Sequence, residues 1–361
     1  MSQDEMPKID PKRRRARGAL SNHASRYEPV REEVTDGWDI EEERRSFVTE
    51  VSEESPRSVI TRNQSPDISF DRSLNPYRGC EHGCVYCFAR PTHAYLGLSP
   101  GLDFESKLVA RPKAAEVLER ELSKKSYRAE VMAIGTNTDP YQPIERRYRI
   151  MRATLEVLER FNHPVAIVTK GTLIERDIDI LARMAVKGLA QVGISLTTMD
   201  AGLSRAMEPR CPLPARRVEM IRKLSAAGVP VRVMLAPVVP GLSDHEVEAL
   251  LTAGVEAGAK AASWVMLRLP REVAPLFEEW LKEAFPQRAA KVMARVREMH
   301  GGEVYAADWG KRMRGEGVYA EMVAQRFEAA RKRLGLARDL PALRTDLFAV
   351  PLARDGQLAL F

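Results

Sequence analysis

The sequence predicts an α/β fold: a partial parallel barrel of six strand–helix units, with a disordered N-terminal extension before it and a helical C-terminal extension after it. Three observations carry this. From residue 58 onward, short apolar runs rich in β-branched residues alternate with segments of helical periodicity, and the runs show no regular apolar–polar alternation, as strands buried on both faces require. The first 55 residues are highly charged and poor in apolar side chains. Beyond Pro270 the pattern is helical. A chain of 361 residues can bury one large core plus appendages.

The N-terminal extension is expected over residues 1–57. Residues 1–27 hold seven Lys/Arg against three Asp/Glu, including the basic run from Lys12 to Arg17, whereas residues 28–55 hold eleven acidic against three basic side chains. The net charge of +6 therefore leaves +10 on residues 56–361. A basic body behind an oppositely charged leader suits a polyanionic partner such as nucleic acid, although a basic run at a terminus is commonly a solvated tail. Trp38, Ile40 and Phe47 are the side chains by which this extension could dock.

The barrel is expected over residues 58–270. The apolar residues 68–70 lead, as the first strand, into a cysteine-rich loop. A helix follows over 112–125, then a strand over 130–134 that ends in the polar turn 135–143. Helix 146–160 precedes strand 165–170, and helix 175–186 ends at Gly188, a C-terminal cap. Strand 191–196, helix 214–227 closed by Gly228, and strand 231–236 continue the cycle. Ser243 and Glu246 read as a capping box for a helix running to residue 257, before the last strand, 262–267. The C-terminal extension, 271–335, contains helices over 272–284, 286–299 and 318–334, and residues 287–333 carry eleven basic and six acidic side chains. A tail, 336–361, completes the chain.

Three of the four cysteines, Cys80, Cys84 and Cys87, fall within eight residues at C-x3-C-x2-C spacing. Three thiolates on one tight loop ask for a metal, and soft sulfur selects an iron–sulfur cluster or zinc. A four-iron cluster held by three cysteines keeps one iron open to a small molecule; a zinc knuckle completed by His82, or a redox loop, fits the same spacing. Four cysteines with one left over make no disulfide framework, which fits a reducing cytoplasm. Neither a signal segment nor an apolar run of bilayer length is present, so no membrane association is expected. In a parallel barrel, chemistry collects where strands end. Thr136, Asn137, Thr138 and Asp139 follow the second strand, Lys170 ends the third, and Ser195 ends the fourth. Taken singly, each is as well read as a surface residue or helix cap.

The cysteine spacing, with Tyr86 just before the last cysteine, resembles the cluster loop of the radical S-adenosylmethionine (SAM) superfamily. Tyr86-Cys87-Phe88, Thr138-Asp139-Pro140-Tyr141-Gln142-Pro143, Thr169-Lys170-Gly171, Glu208-Pro209-Arg210 and Pro240-Gly241-Leu242-Ser243-Asp244 sharpen the resemblance to the group related to spore photoproduct lyase, the light-independent DNA repair enzymes. The resemblance covers residues 58–269 and makes the expected barrel one of radical SAM type. It implies that Cys80, Cys84 and Cys87 hold a [4Fe-4S] cluster and that SAM chelates the fourth iron. It further implies that Asn137 or Thr138 steadies the amino group of SAM, Lys170 pairs with its carboxylate, Ser195 touches ribose or carboxylate, and Tyr86 lies near the adenine. Reductive cleavage of SAM, with electrons from a donor such as flavodoxin or ferredoxin, would yield a 5′-deoxyadenosyl radical for hydrogen abstraction.

Two departures from the lyase pattern stand out. Residues 135–139 contain no cysteine, and Phe88 stands where the lyases carry tyrosine. Cys211 or Tyr141 would have to return the hydrogen, or the reaction differs, so splitting of a spore thymine dimer is not expected. The last five residues, Gln357-Leu358-Ala359-Leu360-Phe361, are similar to the peptide by which bacterial repair and replication proteins dock on the sliding clamp. The leading expectation is therefore a radical SAM enzyme acting on a DNA base in repair or modification. A radical SAM enzyme acting on RNA or a peptide, and a non-catalytic metal-stabilised DNA- or clamp-binding protein, are the alternatives.

Overall fold

The structure is a computed structural model and describes residues 8–10, 14, 16–27 and 48–351. Trp38, Ile40, Phe47 and the clamp-like peptide Gln357 to Phe361 lie outside the described residues. Ten strands are formed among these: β1 (Glu50–Glu53), β2 (Ile60–Arg62), β3 (Arg72–Leu74), β4 (Tyr77–Arg78), β5 (Lys107–Ala110), β6 (Met132–Ile134), β7 (Val165–Thr169), β8 (Ala190–Ser195), β9 (Val231–Val238) and β10 (Ala261–Met266). The main sheet runs β10-β9-β8-β7-β6-β3-β2. Its strands from β3 to β10 pair in parallel, and β2 adds an antiparallel edge. This is the expected partial barrel of six parallel strands. Leu74, Ile134, Ile167, Val192, Ile194 and Val233 are essentially fully buried along it, which is why these runs carry no polar alternation.

Helices α1 (Ala114–Leu122), α2 (Ile150–Arg160), α3 (Ile178–Val186), α5 (Pro214–Ala226) and α6 (Val247–Glu256) close the units, and a short α4 (Ala201–Met207) in the β8–β9 connection packs behind the cysteine loop. The helical C-terminal extension is α7 (Val273–Ala284), α8 (Pro286–Glu298) and α9 (Gly317–Arg333). Helix α9 packs on α6, pinned by Arg326 to Glu248 at 2.6 Å. Helices α7 and α8 supply Phe277, Trp280, Val292 and Val296 to a second core, whose other side is Cys84, Val85, Tyr86, Met207 and Cys211. The C-terminal helices thus back the cysteine loop.

Several expectations need correction. Residues 68–70 are not a strand. Asn63 closes a side-chain turn, accepting from Ser65 N–H at 3.1 Å and donating to the Phe70 carbonyl at 3.0 Å, so the first parallel strand begins at Arg72. The helix expected over 146–160 is broken at Arg149, which adopts φ +53°, because the buried Glu145 carboxylate accepts Met151 N–H at 3.1 Å and starts α2 afresh. The capping box does not form. Ser243 Oγ accepts from Val239 N–H at 3.0 Å and Glu246 from Met199 N–H at 3.1 Å, so both side chains serve preceding loops. A short helix not foreseen, α4, is capped by Asp200, which accepts from Gly202 and Leu203 N–H. A second small sheet, β1-β5-β4, was equally unforeseen.

The two edges of the main sheet, β2 and β10, do not pair with each other. A segment before α9 spans the seam. Met313 O accepts from Met266 N–H of β10 at 2.9 Å, while Arg312 reaches Asp67 at 2.6 Å and Ser65 at 2.8 Å in the β2–β3 loop. Among the described residues no helix is long and apolar enough to cross a membrane.

One buried histidine gives the fold a pH signature. His163 Nε2 lies 2.8 Å from the Tyr127 hydroxyl and Nδ1 3.0 Å from the Pro164 carbonyl, and burial pushes its pKa down to about 4. The unfolded chain protonates this ring near 6.5, so folded stability falls as pH drops from about 6.5 toward 4, by up to about 3 kcal/mol. The urea midpoint of wild type should exceed that of His163→Phe at pH 8, and the gap should close at pH 5. Parallel pH profiles for the two proteins would exclude the effect.

Candidate active site

The cysteine loop begins where β4 ends, and polar groups from distant parts of the chain fix its backbone. Cys80 N–H donates to Phe104 O at 2.8 Å, and the Gln142 side chain brackets Gly79 and Glu81, donating to one at 3.1 Å and accepting from the other at 2.9 Å. Arg90, fully buried, donates twice to Cys84 O, at 2.9 and 3.0 Å, and once each to the carbonyls of Pro100 and Gly101. Its charge is balanced by the equally buried Glu105. Glu105 in turn accepts from Gly18 and Ala19 N–H at 2.8 Å, so the described part of the N-terminal extension is strapped beneath the loop. Gly18 is required there: a Cβ would meet Gly83 O at 1.9 Å.

Above the loop, at the C-terminal ends of the strands, lies a mainly apolar cavity of about 270 Å³. Cys80, Cys84 and Cys87 form part of its wall, as do Tyr86, Asn137, Thr138, Lys170 and Ser195. The sequence-predicted cluster and SAM residues are therefore brought together. Gly135 permits it, since at φ +87° the end of β6 passes so close to β7 that a Cβ would lie 2.0 Å from Val168 O. Asn137 N–H donates to Asn75 Oδ1 at 3.2 Å, and its own side-chain amide has no partner among the described residues. Thr138 Oγ1, by contrast, is spent on Tyr77 O at 3.0 Å.

Asp139 organises the turn, accepting from Thr169 Oγ1 at 2.6 Å, Lys170 N–H at 2.7 Å and Tyr141 N–H at 2.9 Å. His82 Nδ1 approaches it at 3.4 Å. Burial would raise the Asp139 pKa, but His82 holds it below the ordinary carboxylate range; burial would lower that of His82, but Asp139 and Cys80 hold it well above the ordinary imidazole range.

Lys170 Nζ sits 5.8 Å from the Tyr86 ring centroid, with no hydrogen-bond acceptor among the described residues. Burial would lower its pKa, yet Cys84, Glu208 and Cys211 raise it, so the ammonium is kept. Glu208 accepts from the Tyr86 hydroxyl and pairs with Arg217, both acid and base fully buried; Arg217 also donates to Pro212 O at 2.8 Å and Ser195 O at 3.3 Å, tying α5 to the end of β8.

Two predicted residues are not brought to the cavity. The Tyr141 hydroxyl donates to Asp177 at 3.2 Å in the barrel core. Cys211 Sγ is 3.8 Å from Cys84 Sγ but belongs to the second core behind the loop and forms no part of the cavity wall. Burial and Cys84 push its thiol pKa well above the ordinary range. Of the methionines near strand ends, Met234 lines the cavity, Met207 is buried in the second core and Met199 is exposed. Arg90, Glu105, Arg217 and the wall residues Arg268 and Met313 escaped sequence reasoning. An arginine inside the apolar stretch Phe88-Ala89-Arg90-Pro91 is the one visible hint.

Comparison with known proteins bears on this arrangement. The solved structure of spore photoproduct lyase complexed with dinucleoside spore photoproduct superimposes with a TM-score of 0.56 over 79% of this chain and 80% of that chain, at 13% identity. The same lyase as a mutant with bound AdoMet and the dinucleoside gives 0.54 at 14% identity, over 79% and 78%. An uncharacterized protein of Mycobacterium bovis is 40% identical over 235 residues, 64% of this chain and 68% of its own length, as is one of Mycobacterium tuberculosis. The family description of the radical SAM superfamily matches residues 74–253, from β3 through the cysteine loop and into α6. Cavity thiols at the family's spacing, on the family's barrel and inside the family's matched span, place the chain in the radical SAM superfamily, to which it belongs.

Proposed function

We propose that this radical SAM enzyme acts on a base in DNA, in repair or modification. The supporting observation is the cavity itself, where three thiols share the wall with an ammonium that has no acceptor among the described residues. When bound, the [4Fe-4S] cluster and SAM supply a one-electron cleavage that gives a 5′-deoxyadenosyl radical for hydrogen abstraction. Cys80, Cys84 and Cys87 hold the cluster. Lys170 takes the carboxylate of SAM, Ser195 its ribose or carboxylate, and Tyr86 flanks the adenine. Asn137, with its free side-chain amide, suits the amino group better than Thr138.

The donor set favours a cluster over zinc, because His82, the fourth ligand a zinc knuckle would use, is turned to Asp139. Cys211 could reach the cavity only through Cys84, and Tyr141 only through the core, so neither is assigned the return of hydrogen.

DNA is favoured by the basic balance of residues 56–361 and by the clamp-like peptide Gln357 to Phe361, for which we propose docking on a sliding clamp. The lyase of the same fold is solved with a dinucleoside spore photoproduct. A cytoplasmic setting would supply the flavodoxin- or ferredoxin-like donor. The test is label transfer: the reconstituted, dithionite-reduced protein with SAM and base-deuterated oligonucleotides should yield deuterated 5′-deoxyadenosine. Label arriving from RNA or a peptide, and not from DNA, would replace this reading with the alternative substrate.

A further inference from the structure

We propose that the rim of the cavity is a stacking platform for an unpaired DNA strand. The proposal rests on the DNA-acting reading above and names the form in which DNA is held. Four Phe, Tyr or Trp side chains are exposed among the described residues: Tyr27 (56%), Phe88 (44%), Tyr95 (65%) and Trp309 (57%). Singly exposed aromatics are ordinary on a protein surface, but each of these lies against a guanidinium. Arg26 is 4.9 Å from the Tyr27 ring centroid and 5.2 Å from that of Tyr95, Arg268 is 4.5 Å from Phe88, and Arg312 is 4.1 Å from Trp309.

One pair lies at the cavity itself, and the other two are joined to it through neighbouring segments. Phe88 and Arg268 line the cavity, the first directly after Cys87 and the second two residues after β10. From Arg268 the loop runs four residues to Glu272, which pairs with Arg26 at 2.9 Å and so fixes the Tyr27–Tyr95 cluster beside it. On the other side Arg312, which lies against Trp309, directly precedes the wall residue Met313. Arg312 is anchored by Asp67, but no acceptor among the described residues takes the guanidinium of Arg268. Base faces stack on aromatic rings with little regard to sequence, while arginines meet the phosphates between them. A duplex hides its base faces; an unpaired strand offers them. A strand laid along this rim would pass one base over the mouth, within reach of the cavity where the cofactors sit.

The test uses the full-length reconstituted protein, fluorescence anisotropy and a mixed-sequence single-stranded DNA oligonucleotide. Trp309→Ala and Tyr95→Ala should each weaken binding by about tenfold, while leaving SAM cleavage without DNA at the wild-type rate. Arg268→Gln should make the log–log salt dependence shallower by about 0.7. The matched duplex should bind more weakly and respond less to all three changes. Equal affinity for duplex, unchanged affinity in the aromatic variants, or tighter binding of an RNA strand of the same sequence would overturn the platform. Label transfer from DNA by variants that bind normally would remove the platform and keep the enzyme reading. Rim-dependent binding of single strands with no label transfer would do the reverse.

Discussion

Cys84→Ala is expected to reduce SAM cleavage to background, whereas Cys211→Ala, with a sulfur only 3.8 Å away, is expected to retain it. The two thiols touch, so proximity does not distinguish them; their surroundings do. Cys84 forms part of the cavity wall with Cys80 and Cys87, and Cys211 lies in the apolar core between the loop and helices α7 and α8. Contact with Cys211, with Lys170 nearby, lowers the Cys84 thiol pKa, the direction that favours a thiolate. Burial does the opposite to Cys211. Iron and sulfide content, read beside 5′-deoxyadenosine production, decides the matter. Near-normal iron in Cys84→Ala would mean that Cys211 can substitute as a ligand. Normal iron with lost turnover in Cys211→Ala would return that thiol to the chemistry.

Arg90→Met is expected to destabilise the protein by about 3–5 kcal/mol and to lower iron content, although Arg90 hydrogen-bonds to no cysteine sulfur. The side chain is fully buried and binds three loop carbonyls, one of them that of Cys84 itself. Methionine fills much of the space but leaves those carbonyls unpaired and the Glu105 charge uncompensated in the interior. Arg90→Lys should rescue little, because a single ammonium cannot span the fork that a guanidinium presents. Pairing Arg90→Met with Glu105→Gln should recover part of the loss, since the stranded charge is then gone. Urea midpoints and iron per chain measure both effects. An Arg90→Met protein with wild-type values for both would show that the cysteine spacing alone shapes the loop.

What could be read in advance was what is local in the chain. The cysteine spacing, the apolar strands and the alternation with helices are patterns within a few residues, and each returned in the structure close to its expected place. Residues 68–70 misled because a short apolar run looks the same whether it enters a sheet or lines a cavity; only the turn closed by Asn63 separates the two. Ser243 and Glu246 had the spacing of a cap but were already bonded to Val239 and Met199, partners that no local window shows. The buried pairs Arg90–Glu105 and Arg217–Glu208 have the same origin. A charge tolerated in the interior is intelligible only once its partner is known. Tyr141 and Cys211 were close to the site in sequence, and the turns after their strands carried both side chains elsewhere.

The unpaired edges of the main sheet carry a mechanical consequence. Neighbouring parallel strands are joined by ladders of backbone bonds that must yield together, whereas between β2 and β10 the segment before α9 bridges by the bonds of Arg312 to Asp67 and Ser65, of Gly310 to Asp67 and of Met266 to Met313. Fewer bonds need to break at this join than along any parallel ladder of the sheet, so it is where the barrel is expected to open first. Substitutions at Asp67 or Arg312 should change how bulky a guest the barrel admits while the cysteine loop, on the far side of Arg268, keeps its shape.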